Sequence, residues 1–165
     1  SREKKRLLCP LAFEKPCSPH LAAALEGREI DLHSLAGSLR VLDDAHQCVV
    51  AEGAGGILVP LGRGKTMLDL MELLGWPVIL VARDRLGAIN HTLLSINALR
   101  GRKIEPAGLI FNHADPPSPL ISDNNMKTIL EYGKINLLGE IPFSPEDYPE
   151  SHFQHIAAKL EGILL

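Results

Sequence analysis

The feature that most constrains the fold is a series of short apolar runs separated by stretches of helical length. The four runs are Cys48–Ala51, Pro77–Ala82, Ala107–Phe111 and Ile135–Gly139. Consecutive apolar residues predict strands buried on both faces, as in parallel sheets covered by helices. Helices are predicted over Pro19–Glu26, from about Asp31, and over Met67–Leu74, Ala88–Leu99, Leu120–Tyr132 and His152–Leu164. This alternation predicts an α/β fold with a doubly wound, mostly parallel sheet, helices on both faces and a single domain over 1–165.

Charge and hydropathy argue against nucleic-acid and membrane partners. The formal net charge is -3, and the basic cluster Lys4–Arg6 is expected to be a solvated, frayed chain end. No apolar run approaches the ~20 residues that span a bilayer, and the first residues lack the apolar core of a signal peptide. The cysteines Cys9, Cys17 and Cys48 form no metal-binding spacing, and their odd number fits the reducing cytoplasm. Cys48 is predicted to be a small core residue.

An acid and three glycines follow the first predicted strand. Glu52 precedes Gly53, Gly55 and Gly56. Since ligands bind at the carboxyl ends of the strands in such sheets, Glu52 is positioned to reach a bound Mg2+. The glycines would let backbone N–H groups approach an anion. The alternative is a tight turn after a strand, with Glu52 in solvent.

A helix is predicted to begin near Gly87 or Ala88, just after the second long strand. Its first N–H groups are unpaired and carry the positive end of the helix dipole, so they suit a carboxylate or a phosphate. Asn90 and His91 would then be polar residues of the first turn, which is the favoured interpretation for His91 because no partner acid or cysteine defines a catalytic pair.

The third and fourth long strands lead to Asn112 and to Gly139–Phe143. An Asn side chain has one acceptor and two donors, which match the N6 and N7 edge of adenine. Asn also suits a turn before Pro116. The run Gly139–Phe143 offers backbone groups and an apolar wall for a base, or a plain proline turn.

The run Gly62–Thr66 ends in Gly-Lys-Thr, as a phosphate loop does. The full pattern requires a glycine at position 59, where this chain has Val59. We therefore do not expect this run to bind phosphate.

Four runs in order resemble the dethiobiotin synthetase family, from about Leu8 to the end of the chain. These runs are Phe13–His20, Glu52–Gly56 with Pro60 and Leu61 after it, Leu86–Thr92, and Leu138–Pro142. Asn112 falls where that family has the Asn on the adenine side. The resemblance implies a P-loop NTPase-like fold and a cytoplasmic homodimer. It also implies an ATP- and Mg2+-dependent ligase of biotin biosynthesis, which forms dethiobiotin from CO2 and 7,8-diaminopelargonic acid.

The resemblance also implies a set of site residues. Glu52 would be the Mg2+ ligand, and Gly55 and Gly56 would lie along the substrate. The substrate carboxylate would be bound across the dimer interface by the first helical turn, Gly87, Ala88, Ile89 and Asn90. The adenine side of ATP would be bound by Asn112, Ile141, Pro142 and Phe143.

The family's Walker A loop, first strand and carbamate-binding lysine have no counterpart in this sequence. By resemblance they precede its first residue, so we expect that an N-terminal segment is omitted or truncated. Because phosphoryl transfer depends on that loop, the chain alone is expected to bind ATP poorly and to be inactive. Two alternatives remain open. One is a non-catalytic binding or regulatory homologue without ATP chemistry, and the other is another ATPase of this architecture, such as a cobyrinic-acid amidase-like or partition-type protein.

Overall fold

The computed structural model describes residues 8–116, 118–145 and 151–164, and the chain divides into two compact units, Ser1–Trp76 and Pro77–Leu165. The single domain over 1–165 stays a prediction. The basic cluster Lys4–Arg6 lies outside the described residues. Among the residues that are described, no helix is both long enough and apolar enough to cross a membrane.

From Pro19 onward, the first unit contains three helices and a β-hairpin. These elements are α1 (Pro19–Leu25), α2 (Leu32–Ala45), β1 (Pro60–Gly62), β2 (Lys65–Thr66) and α3 (Met67–Leu74). Asp31 caps α2, because its side chain accepts a hydrogen bond of 2.9 Å from the backbone N–H of His33. Gly75 ends α3 in the left-handed conformation. The core of this unit joins all three helices and the hairpin through Ala23, Ile30, Ala36, Leu61, Met67 and Leu70.

The predicted buried strand at Cys48–Ala51 is wrong. These residues are irregular, Cys48 is exposed rather than part of the core, and Val50 is 82% exposed. A strand persists only when a neighbouring strand takes up its N–H and C=O groups, and no described residue pairs with 48–51. Apolar character therefore suits a segment to a sheet, but the segment becomes a strand only when its backbone is hydrogen-bonded to a neighbouring strand.

The run that ends in Gly-Lys-Thr forms the hairpin. β1 and β2 pair antiparallel, and the two connecting residues, Arg63 and Gly64, have φ values of 50° and 69°. Positive φ at both positions is what a type I′ hairpin turn requires. Asp69 accepts hydrogen bonds of 2.8 Å from both the backbone N–H and the hydroxyl of Thr66, at the start of α3. The run is a hairpin and a helix cap, which agrees with the expectation that it does not bind phosphate.

The second unit is a three-stranded parallel sheet with helices. Its elements are β3 (Ile79–Arg83), α4 (Ala88–Gly101), β4 (Gly108–Asn112), α5 (Pro119–Gly133), β5 (Leu137–Ile141) and α6 (Ser151–Leu164). The strand order is β3-β4-β5, and both neighbouring pairs are parallel. The predicted α/β class with a parallel sheet is confirmed. Each strand ends one or two residues beyond its predicted end.

Helices pack on this sheet through small residues. A Cβ at Gly139 of β5 would lie 2.5 Å from Ile156 of α6, and one at Gly133 of α5 would lie 2.7 Å from Ile96 of α4. β4, the central strand, is buried from Gly108 to Phe111. β3 is an edge strand, and its Val81 is exposed. Burial on both faces, as predicted, therefore holds for the central strand and only partly for the edge.

Candidate functional site

The carboxyl edge of the three-stranded sheet brings together the loops that were predicted to carry chemistry. Asn112 and Ile141 are register partners at the ends of β4 and β5. Beyond them the backbone N–H of His113 donates to the carbonyl of Ile141 at 3.0 Å, and that of Asp84 donates to the carbonyl of Asn112 at 2.8 Å. The ladder therefore continues past the strand ends and fixes the three loops against one another.

Asn112 is the last residue of β4, and its side-chain oxygen has an unmet hydrogen-bonding capacity. Oδ1 is buried and has no hydrogen-bond partner among the residues that the structure describes. A buried acceptor without a partner costs about 1–3 kcal/mol, so such an atom marks either strain or a place where a ligand donates. Next to it, Ile141 and Phe143 are half-buried and Pro142 is exposed. The assignment of these residues to the adenine side stays a prediction.

A network of polar side chains lies at the same edge, and the sequence analysis missed it. The carboxylate of Asp84, only 7% exposed, accepts hydrogen bonds from the hydroxyl of Ser122 and from Nδ2 of Asn125 at 3.0 Å. Nδ1 of His113 lies 3.1 Å from the same carboxylate. Three elements thus converge on one buried acid, since Ser122 and Asn125 are one turn apart on α5.

The pKa of Asp84 is lowered from its ordinary value. Burial acts to raise the pKa, but the hydrogen bonds from Ser122, Asn125 and His113, together with the charge interaction with His113, outweigh that effect. The carboxyl group is therefore ionised in the folded protein at neutral pH.

The His113 ring is held between two acids. Nε2 lies 3.2 Å from the Glu140 carboxylate, opposite the contact of Nδ1 with Asp84. The edge of the ring also meets Phe111, with centroids 5.2 Å apart and an interplanar angle of 80°. Separately, Arg83 forms a two-point ion pair with Asp115 across the ends of β3 and β4, with N–O distances of 2.8 and 3.0 Å. These contacts stiffen the loops after all three strands.

The start of α4 borders a small cavity. Gly87 is the N-cap residue, with a φ of 91° that favours glycine. A cavity of about 180 Å3 lies beside it, lined by residues that include Ala88, Arg83, Arg85 and His91. Arg85 and the positive end of a helix dipole give this cavity a character suited to a carboxylate, whereas the guanidinium of Arg83 is already paired with Asp115. Ile89 is half-buried in the first turn, and Asn90 and His91 are exposed.

Glu52, Gly55 and Gly56 belong to the first unit. Glu52 is exposed and lines a mostly apolar cavity of about 600 Å3, together with Lys15 and Gly53. Gly55 has a φ of 81°, and a Cβ there would lie 2.8 Å from Val59. The loop geometry therefore demands glycine at position 55. At Gly56 a Cβ would meet no atom within 4 Å.

The exposed carboxylate of Glu52 fits the role of a Mg2+ ligand. Mg2+ retains several waters and is usually held by one or two carboxylates plus substrate phosphates. No group of three or more metal-binding side chains occurs in the described parts of the chain, so the protein would supply only a partial ligand set.

A signal for the missed network does exist in the sequence. Ser122 and Asn125 share a helix face with Ile129, which is fully buried. Polar residues on a buried helical stripe require partners, and Asp84 and His113 directly follow buried strands. Sequence alone could not show that these groups meet, because 38 residues separate Ser122 from Asp84.

Comparison with known proteins identifies the family. A family model described as an AAA domain matches residues 1–151. The chain belongs to that family. It is also 44% identical over 135 residues to an ATP-dependent dethiobiotin synthetase BioD of Halalkalibacterium halodurans. That alignment covers 81% of this chain and 56% of the relative. Relatives with the same description from Anaeromyxobacter dehalogenans strain 2CP-1 and Anaeromyxobacter sp. strain K are 39% and 45% identical, each over 87% of this chain and 65% of the relative.

The resemblance found in the sequence motifs is thereby confirmed: the chain is homologous to dethiobiotin synthetases. The family assignment also agrees with the P-loop type of α/β fold. The chain spans between 56% and 65% of the length of these three relatives.

Proposed function

We propose that the protein is an ATP- and Mg2+-dependent ligase that forms dethiobiotin from CO2 and 7,8-diaminopelargonic acid. The observation that carries the proposal is the identity of 39–45% to ATP-dependent dethiobiotin synthetases over 81–87% of the chain. The geometry agrees with it, since the predicted adenine-side residues and the predicted carboxylate-binding turn both belong to the second unit, at or just beyond the carboxyl ends of β3, β4 and β5.

The adenine side of ATP is assigned to Asn112, Ile141, Pro142 and Phe143. The unpaired Oδ1 of Asn112 supports this assignment, because the N6 amino group of adenine would supply the donor that the buried acceptor lacks. Half-buried Ile141 and Phe143 provide apolar surface for a base.

The substrate carboxylate is assigned to the first turn of α4, formed by Gly87, Ala88, Ile89 and Asn90. The free N–H groups of a helix start and the neighbouring Arg85 favour an anion there. The backbone at Gly55 and Gly56 is assigned to lie along the substrate. Glu52 is assigned to Mg2+, which would neutralise phosphate charge when bound.

The proposal includes a cytoplasmic homodimer, as the family resemblance implies. Leu86, immediately before α4, is almost fully exposed, which suits a surface that a second copy covers. Sedimentation of the full-length protein would test this part, and a monomer at micromolar concentration would contradict it.

The direct test is turnover by the full-length protein. Incubation with 7,8-diaminopelargonic acid, bicarbonate and Mg-ATP should yield dethiobiotin and ADP, both measurable by mass spectrometry. ATP consumption without dethiobiotin would point to another ATPase of this architecture. Absence of both products would favour a non-catalytic homologue.

The role of Glu52 has its own test. Glu52→Gln removes the charge at nearly constant shape, so turnover at limiting Mg2+ should fall by about tenfold or more. High Mg2+ should restore part of the loss. Glu131→Gln, at an exposed position of α5, is the matched control and should leave turnover unchanged. An unchanged Mg2+ dependence in Glu52→Gln would contradict the assignment.

A further inference from the structure

We propose that His113 is a positioning residue that holds the adenine side of the nucleotide site in register. This inference rests on the proposed function and extends it to a residue outside the assigned contacts. His113 adjoins Asn112 in the chain, and its own backbone N–H is bonded to Ile141 at 3.0 Å. Any movement of His113 therefore moves both residues assigned to the base.

The ring of His113 is restrained on three sides. Asp84 lies 3.1 Å from Nδ1, Glu140 lies 3.2 Å from Nε2, and the Phe111 ring meets it edge-on at a centroid distance of 5.2 Å. The ring side chain is 13% exposed, so water competes little for these contacts. A ring held in this way has one orientation available, and the backbone on either side of it is fixed accordingly.

Asp84, His113 and Glu140 form a clamp, in which the two carboxylates hold the ring. The carboxylate of Asp84, the more buried of the two, is itself immobilised. Asp84 is bonded by Ser122 and Asn125 of α5, and its backbone N–H holds the carbonyl of Asn112 at 2.8 Å. The chain of contacts from α5 through Asp84 thus reaches Asn112 at its carbonyl and, through His113, at the residue that follows it. None of these groups needs to touch ATP to determine where the Asn112 amide points.

The charged groups around His113 have a defined arrangement. Asp84 follows β3 and Glu140 lies in β5, and these two carboxylates face the ring, while Arg83 is occupied by Asp115. A neutral imidazole carries only one N–H and can donate to one carboxylate at a time, whereas the protonated ring donates to both. The protonated ring therefore holds both carboxylates by donated hydrogen bonds, and the neutral ring holds one of them.

A positioning role at the adenine end predicts a selective defect. In the full-length protein, His113→Ala should raise the dissociation constant of Mg-ATP by about tenfold, the size expected for one misplaced base contact. The dissociation constant of Mg-tripolyphosphate, which has the phosphates without the base, should change by less than about twofold. Discrimination between ATP and GTP should also fall. Isothermal titration calorimetry measures all three quantities.

Two further variants keep the test decisive. Glu140→Ala removes the outer half of the clamp at a side chain that is 44% exposed, so folding should survive even if His113→Ala does not fold. Glu140→Ala should weaken the binding of Mg-ATP and leave the binding of Mg-tripolyphosphate unchanged. The effect on Mg-ATP should be smaller than that of His113→Ala. His33→Ala, at an exposed histidine of α2, should change the dissociation constant of neither ligand.

The outcomes separate the inference from the proposed function. If the unmodified protein binds Mg-ATP and makes dethiobiotin, while His113→Ala and Glu140→Ala bind ATP normally, the positioning role is overturned and the function stands. Equal weakening of ATP binding and tripolyphosphate binding would also overturn it, because such a result would indicate a general disruption of the fold. If the unmodified protein binds no ATP, both proposals fail.

Discussion

At the residue scale, the buried acid Asp84 shows how the strand-end loops are stabilised. A carboxylate removed from water needs hydrogen bonds in place of its hydration, and Ser122, Asn125 and His113 supply them. The result is a lowered pKa rather than the raised pKa that burial alone would give. The network stabilises the fold only while Asp84 is ionised.

This network predicts an acid-sensitive contribution to stability. The folded-state pKa of Asp84 lies below that of the unfolded chain, so the unfolded chain binds more protons and stability rises with pH in this range. The contribution is present above about pH 4 and is lost as the pH falls through the folded-state pKa. Asp84→Asn should therefore lower the free energy of unfolding by about 1–3 kcal/mol at pH 7 and by progressively less as the pH falls below about 4. Urea unfolding at several pH values measures this.

The control for that experiment lies on the same helix as two of the network residues. Asp123→Asn changes an exposed acid next to Ser122, so its stability should match that of the unmodified protein at every pH in this range. A pH dependence equal in the two variants would show that Asp84 is not the responsible group.

The glycines after Glu52 predict a second contrast at single residues. Gly55→Ala places a Cβ at 2.8 Å from Val59 on a backbone with a φ of 81°, so it should lower stability by about 1 kcal/mol or more. Gly56→Ala meets no atom within 4 Å and should be close to neutral. Thermal melting of the two variants measures the difference. Equal melting temperatures would contradict the strained conformation at Gly55.

At the element scale, the helix boundaries could be predicted from sequence more closely than the strands. Pro19, Asp31, Gly75 and Gly87 mark starts and ends of helices by their own backbone and capping preferences, which are local. Strands depend on a partner. Pro77–Ala82 found one in β4, whereas Cys48–Ala51 is equally apolar and has none in the described residues. Local patterns therefore specify helix ends, and strand pairing has to be seen in the structure.

The packing of α6 on β5 gives a prediction at this scale. Gly139→Ala would bring a Cβ within 2.5 Å of Ile156, and such overpacking costs about 1–3 kcal/mol. Gly162→Ala, within α6 but with no atom within 4 Å of the new Cβ, should instead stabilise by up to about 1 kcal/mol through helix propensity. Chemical denaturation should thus show shifts of opposite sign. Shifts of the same sign would contradict this packing.

At the scale of the whole molecule, the residues assigned to ligands are divided between two compact units of the chain. The adenine-side and carboxylate-binding residues belong to Pro77–Leu165, and Glu52 with its glycines belongs to Ser1–Trp76. The motifs at 87–90, 112 and 141–143 could be proposed from sequence because each lies at or near the carboxyl end of a strand. The network around Asp84 could not, since it depends on side chains from three elements that are distant in sequence.

The cysteines provide a test over the whole chain. Cys9, Cys17 and Cys48 are all free and exposed, so three thiols in the folded 165-residue chain should react with a thiol reagent as readily as in urea. The number of labelled sites per molecule can be read by mass spectrometry. Two rapidly labelled sites and a protected Cys48 would restore the prediction that Cys48 is a core residue.

The network around Asp84 also has an evolutionary consequence. Its five members are Asp84, His113, Ser122, Asn125 and Glu140, and three of them, His113, Ser122 and Asn125, lose a hydrogen-bond partner when Asp84 is replaced. A lineage that substitutes Asp84 gains nothing by keeping His113 and Asn125 polar, because buried groups without partners are costly. We therefore expect the residues at positions 84, 113 and 125 to be substituted together among relatives. Such correlated substitutions would identify the lineages in which the side-chain network at this edge of the sheet has changed.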